Sequence, residues 1–156
     1  MSYADRLENN LRNKLSILGN ILDSDQRFTS LSIRTSDPYR RYDDYLNEQN
    51  GYMDRLDELD REYDEIFQYL SEHDSEVKII DIKKKQTIIT LNRLIEDKIK
   101  ETVIAESAAK VYADKILGNK KNEIAQTRKN VRVLQSSYSP NPGLSAADHS
   151  LFDSSN

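Results

Sequence analysis

There is no cysteine and no tryptophan in this chain, and only four glycines and three prolines among its 156 residues. The absence of cysteine removes disulfides, thiolate metal sites and cysteine nucleophiles together, and it agrees with a reducing compartment. The shortage of glycine and proline removes most of the turn signals that a sheet or a loop-rich domain needs. No apolar run approaches the ~18 residues that a membrane span requires. The first ten residues, MSYADRLENN, hold neither a basic stretch nor an apolar one, so no secretory signal is expected there. What is abundant is Leu, Ile, Lys, Glu and Asp, with 37% hydrophobic and 32% charged residues. A chain of that make-up is expected to form long helices, in a soluble cytoplasmic protein of one domain.

The formal net charge of −4 conceals a partition. Residues 38–76 hold 13 acidic against 4 basic side chains, and residues 77–135 hold 14 basic against 7 acidic. The first 37 residues balance at 5 against 5. An acidic segment is therefore followed by a basic one of comparable length.

Apolar periodicity divides the chain into an all-α body over 1–135 and a polar tail over 136–156. Helix one is expected over about 2–23, with Ala4, Leu7, Leu11, Leu15, Leu18 and Leu22 on one face and Ser2 as its cap. Residues 24–37 lose the pattern and read as a connector, with continuation of the helix as the alternative. Helix two is expected over about 38–72, because Asp37 before Pro38 is a strong start signal. Helix three is expected over about 75–135, capped by Asp74 or Ser75, with a break possible at Gly118–Asn119. The tail is rich in Ser, Pro and Asn and is expected to be disordered.

Helix two carries the clearest stripe: Tyr42, Tyr45, Tyr52, Leu56, Leu59, Tyr63, Ile66 and Leu70, with Gln49 on the one polar beat. Alternating gaps of three and four are the mark of left-handed supercoiled packing. Tyrosine is unusual in such a seam, because its hydroxyl needs water or a partner when buried. The charge partition favours antiparallel pairing of helix two with helix three, helix one lying in the groove between them. Self-pairing of helix two in a homodimer is the alternative, opposed by its own negative charge. The expected architecture is an elongated antiparallel bundle or coiled coil of three long helices.

Candidate chemistry is sparse. His73 and His149 fall in a helix break and in the tail, without the i, i+4 partner of a helical zinc site. The acids Asp54, Asp57, Glu58, Asp60, Glu62, Asp64 and Glu65 alternate with the apolar beat, which gives a solvated face rather than an inward metal site. Lys83–Lys85 and the later basic residues have no aromatic platform over 77–111, so neutralising helix two is preferred to nucleic-acid binding. There is no phosphate loop, nucleophile elbow or triad. No enzyme, cofactor, metal, membrane or nucleic-acid role is expected. In the tail, Tyr138, Leu144, Leu151 and Phe152 stand in a polar strip, as in segments that fold onto a partner; docking on the protein's own helices is the alternative.

The stretch YLNEQNGYMDRLDELDREYDEIF, together with the ending RKNVRVLQSSYSP and SLFD, resembles the small bacterial flagellar export chaperones of the FlgN type, with the FliT type next. The resemblance implies a cytoplasmic chaperone that binds the amphipathic helical end of a hook–filament junction protein and delivers it to the type III export apparatus. It also implies that the C-terminal helix and tail take that helix, which on this chain means Ile124, Val131, Leu134, Tyr138, Leu151 and Phe152. A self-associating coiled-coil adaptor is the other function class that this pattern fits.

Overall fold

The computed structural model describes residues 1–30 and 37–118. They form three long helices and one short one: α1 (Tyr3–Ser30), α2 (Pro38–Glu72), α3 (Asp74–Lys78) and α4 (Ile82–Leu117). No strand occurs among the described residues, so the all-α class holds for them. Residues 119–135 of the expected third helix, and the tail, lie outside the described residues.

Local signals account for the helix starts. The Ser2 hydroxyl accepts from the Asp5 amide at 3.1 Å and caps α1. The Asp37 carboxylate accepts from the Arg40 amide at 3.1 Å, with Pro38 following, which is the start expected for α2. The third start differs from expectation. Asp74 only opens the five-residue α3, and the chain breaks again at 79–81. The cap of the long helix is Asp81, whose carboxylate accepts from the Lys83 amide at 3.1 Å. α4 ends at Gly118, where φ of 59° is open to glycine at little steric cost.

α1 runs seven residues past its expected end at residue 23. The reason is visible in its buried beat: Ala4, Leu7, Leu11, Lys14, Leu18, Ile21, Asp25 and Phe28. Gaps of three and four persist through Asp25, so the face continues where apolar residues alone would end it. Leu15 and Leu22, expected on that face, are only partly buried because Lys14 and Ile21 hold its centre. The Lys14 ammonium reaches Asp60 at 3.1 Å and lies 4.0 Å from the centre of the Tyr63 ring. A buried lysine is tolerable because its stem packs while its charge finds a carboxylate and an aromatic face. On α2 the expected stripe is buried with one shift: Met53 takes the beat assigned to Tyr52, which is half-buried and donates to Glu48 at 3.0 Å.

The order of packing differs from the expected pairing of α2 with α4. α1 lies against both, and the backbones of α2 and α4 approach each other at few points. Ion pairs follow the same arrangement. Arg6, Lys14 and Arg27 of α1 meet Glu62, Asp60 and Glu48 of α2, so α1 and α2 run antiparallel. Asp5 and Glu8 of α1 meet Lys84 of α4 near both N-termini, so α1 and α4 run parallel. The charge-balanced helix thus mediates between the acidic helix and the basic one. Opposite charge on α2 and α4 did not bring them side by side, because exposed ion pairs contribute only ~0–1 kcal/mol each while the apolar faces decide the packing.

Leu56 and Ile66 are 3% and 0% exposed and belong to one apolar cluster with Leu7, Leu11, Leu18 and Ile21 of α1 and Ile88, Leu91, Ile95 and Ile99 of α4. Replacing either with Ala is expected to lower stability by ~2–5 kcal/mol. Thermal melts followed by circular dichroism check this, and unchanged melting of both variants would place the stripe outside the core.

Candidate functional site

α4 has two apolar faces. The first is the buried series Ile88, Leu91, Ile95, Ile99, Ala109, Ala113 and Leu117. The second points away from the bundle. Ile104 and Val111 are 71% and 54% exposed, with Ala108 between them, also exposed. The three fall at i, i+4 and i+7, one face of a helix. Exposed Lys100 and Lys115 stand on the same face, one turn before and one turn after. Nearer the start of α4, Ile82 is 59% exposed, and the neighbouring Ile79 in the break is 82% exposed. Beside them, a cavity of about 460 Å³ is lined by Tyr3, Leu70, Ile79, Ile80 and Lys84, among others. Singly exposed apolar residues are ordinary, but three in register with basic ends form a surface that a partner helix can match.

Inside the bundle lies a polar cluster drawn from all three long helices. Asp25 of α1, Gln49 of α2 and Glu106 of α4 are fully buried, and Tyr45 of α2 is nearly so. The Tyr45 hydroxyl donates to Asp25 Oδ1 at 2.5 Å and lies 3.4 Å from Glu106 Oε2. The Gln49 amide donates to Asp25 Oδ1 at 3.2 Å and to the Ile21 carbonyl at 3.4 Å. The two carboxyl groups are within hydrogen-bonding reach of each other. Asp25 Oδ2, Glu106 Oε1 and Gln49 Oε1 are buried without a donor. Burial pushes Asp25 up to about 7, against the hydrogen bonds it accepts from Tyr45 and Glu106. Burial and then the facing Asp25 charge push Glu106 up to about 9. Near neutral pH the pair thus retains a proton between its two carboxyls, and Asp25 also receives the Tyr45 hydroxyl. Burial also raises Tyr45, which keeps its proton and serves as a donor throughout.

These positions were only partly visible beforehand. Tyr45 and Gln49 stand on the expected stripe. Asp25 lies in the segment read as a connector, and Glu106 is a charged residue between Thr102 and Ala109 on helix three, where the sequence shows little apolar character. The outer strip of α4 is hard to read from sequence because it is short beside the longer buried series on the same helix. Its signal was present: Ile104, Ala108 and Val111 stand at i, i+4 and i+7, out of step with the buried series of α4. Ile124, Val131, Leu134, Tyr138, Leu151 and Phe152, expected to take a partner, all lie outside the described residues. His73 is exposed and acts locally, its ring stacked on Tyr69 at 3.9 Å between centroids at the end of α2. Among the described residues no group of three or more His, Cys, Asp or Glu side chains could hold a metal ion, and no helix is long and apolar enough to cross a membrane.

No protein-family model matches the chain. No curated protein and no solved structure is significantly similar to it.

The buried pair sets the sign of a pH effect. Both carboxyls bind protons more tightly folded than unfolded, so the folded state holds more protons between their ordinary values and their raised ones. The pair's contribution to stability is complete at acid pH and declines as pH rises through about 7 and about 9. Glu106→Gln, which cannot ionise, is expected to melt near the wild type at acid pH and above it in alkali. Melting curves that stay parallel across the pH series would contradict the raised Glu106.

Proposed function

We propose that this protein is a non-enzymatic escort that captures an amphipathic helix of another protein. The observation that supports this reading is the outer face of α4, where Ile104, Ala108 and Val111 form an apolar strip between Lys100 and Lys115. A partner helix with an apolar face and acidic residues flanking it fits such a strip in shape and charge. A helix of that kind aggregates when its apolar face is left open, so covering it reversibly is a chaperone's task. The resemblance of residues 45–67 and of the chain's ending to flagellar export chaperones of the FlgN type gives the partner class. It is the helical end of a hook–filament junction protein, held soluble in the bacterial cytoplasm for the type III export apparatus.

In this reading the long helices are an elongated, coiled-coil-like scaffold. The C-terminal residues Ile124, Val131, Leu134, Tyr138, Leu151 and Phe152 supply a second part of the partner surface. A self-associating adaptor is the competing reading, since the same strip can pair with a second copy.

Titration calorimetry of the full chain with hook–filament junction proteins tests the proposal. Ile104→Asp together with Val111→Asp is expected to leave the melt nearly unchanged, since both side chains are exposed, and to weaken binding by about tenfold or more. Removal of residues 136–156 is expected to weaken binding separately. Equal affinity of the wild type and the α4 variant would remove the strip from the site. Failure of every junction protein to bind, with self-association that the α4 substitutions abolish, would establish the adaptor instead.

A further inference from the structure

Among the described residues the apolar core of this bundle is in two parts, and on every long helix a buried polar residue lies between them, while Asn10, Lys14 and Lys85 are buried alongside the larger part. On α1, Ile21 belongs to the larger cluster and Phe28 to the smaller, with Ser24 and Asp25 between. On α2, Met53 belongs to the larger and Tyr45 to the smaller, with Gln49 between. On α4, Ile99 belongs to the larger and Ala109 to the smaller, with Thr102 and Glu106 between. The polar side chains therefore form a layer across the whole cross-section. Among the described residues, the cluster near the α1 N-terminus holds 14 buried apolar residues, whereas the one beyond the layer holds six, two of them alanines. Among those residues, the end beyond the layer has the smaller apolar cluster.

Three oxygens in the layer lack a donor among the described residues: Asp25 Oδ2, Gln49 Oε1 and Glu106 Oε1. One proton held between the two carboxyls relieves their repulsion and gives one of them a donor. Without it, two carboxylates face each other across a site closed to water, and such a pair is stable only if it is hydrated or separated. No cation among the described residues compensates. α2 presents Tyr45 and Gln49 to the pair, and Tyr45 is a neutral donor. On α1 and α2 the neighbouring charges Asp23, Arg27 and Glu48 are engaged with one another at the surface. On α4, Lys98 is engaged with Glu101. Toward the far end, α2 also carries Arg40, Arg41, Asp43 and Asp44, and α4 carries Lys110, Asp114 and Lys115; none of them shifts either carboxyl.

We infer that the Asp25–Glu106 pair is a proton-controlled latch on one end of the bundle. With the shared proton in place, the end built from residues 25–30, 37–48 and 103–118 stays docked. When both carboxyls are ionised it opens while the larger cluster stays folded. Opening uncovers Phe28, stacked on Tyr45 at 4.2 Å and met edge-on by Tyr112 at 4.9 Å, together with Tyr42. The latch thus converts a rise in pH into exposure of an aromatic surface at a defined end. The strip on the outer face of α4 lies on the same segment but is already exposed in the docked state, so it does not need the latch to open.

Hydrogen exchange of the full chain, read by mass spectrometry and corrected for the intrinsic pH dependence of exchange, tests this. Between about pH 6 and about pH 10, amides of 40–48 and 106–117 are expected to lose at least about tenfold in protection, while those of 56–70 and 88–99 keep theirs. Glu106→Gln keeps a donor toward Asp25 and cannot ionise, so it is expected to hold the far end closed in alkali. Asp25→Asn is the second variant and decides the assignment if Glu106→Gln fails to fold, as judged by helicity at acid pH. Unchanged protection of the far end in the wild type, or loss spread evenly over both ends, would overturn the latch. So would alkaline opening that persists in a folded variant lacking one carboxyl.

Discussion

α1 has to satisfy two unlike neighbours at once, and this constraint organises the bundle. Its buried residues recur at gaps of three and four from Ala4 to Phe28, wide enough in side-chain reach to meet α2 on one flank and α4 on the other. Its bases serve the acidic helix and its acids serve the basic one. A middle helix of either net sign would leave one flank repelled. α2 and α4, with their axes kept apart by α1, meet through long side chains, and Tyr45 is long enough to bring its hydroxyl to Glu106.

The same reach explains the tyrosines of α2. A leucine at position 45 would fill space but leave Asp25 without its hydroxyl donor. Tyr45 both packs on Phe28 and ends in the polar layer, so one side chain belongs to the smaller apolar cluster and to the hydrogen-bond network. Burying a carboxyl pair is costly unless the charge is reduced and the remaining lone pairs are occupied. Here a proton lowers the charge, and Tyr45 and Gln49 supply donors. That combination places the layer at one height and thereby fixes the register of all three helices, since sliding any of them by one turn would bury the polar groups against aliphatic residues.

Function, in this architecture, falls on what the core does not consume. α4 packs with one face and carries a short apolar strip, Ile104, Ala108 and Val111, on the opposite one, while the outward side chains of α2 are mainly charged or polar. The basic residues of α4 act inside the bundle through Lys84, which pairs with Asp5 and Glu8 of α1, and others stay exposed on its outer face. Its exposed lysines flank an apolar strip and favour an acidic amphipathic partner, which is the use proposed for this face.

The residue pattern by itself determined the helices. Periodicity, the Asp37–Pro38 start, the scarcity of glycine and the charge partition are local properties, and they lead directly to α2 and to most of α1 and α4. They also marked Tyr45 and Gln49 as beats of one stripe, because a helical face can be read one residue at a time. Three things were decided only in the tertiary structure. Asp25 lies where the apolar pattern stops, so the continuation of α1 to Ser30 depends on partners from α2 and α4 that are distant in sequence. Asp74 and Asp81 are both competent caps, and the break at 79–81 selects the second for the long helix. The choice of middle helix is the third. Charge blocks suggested that α2 and α4 touch along their length, but weak screened attractions at the surface do not compete with apolar burial, and the burial is shared by faces that no single segment displays alone.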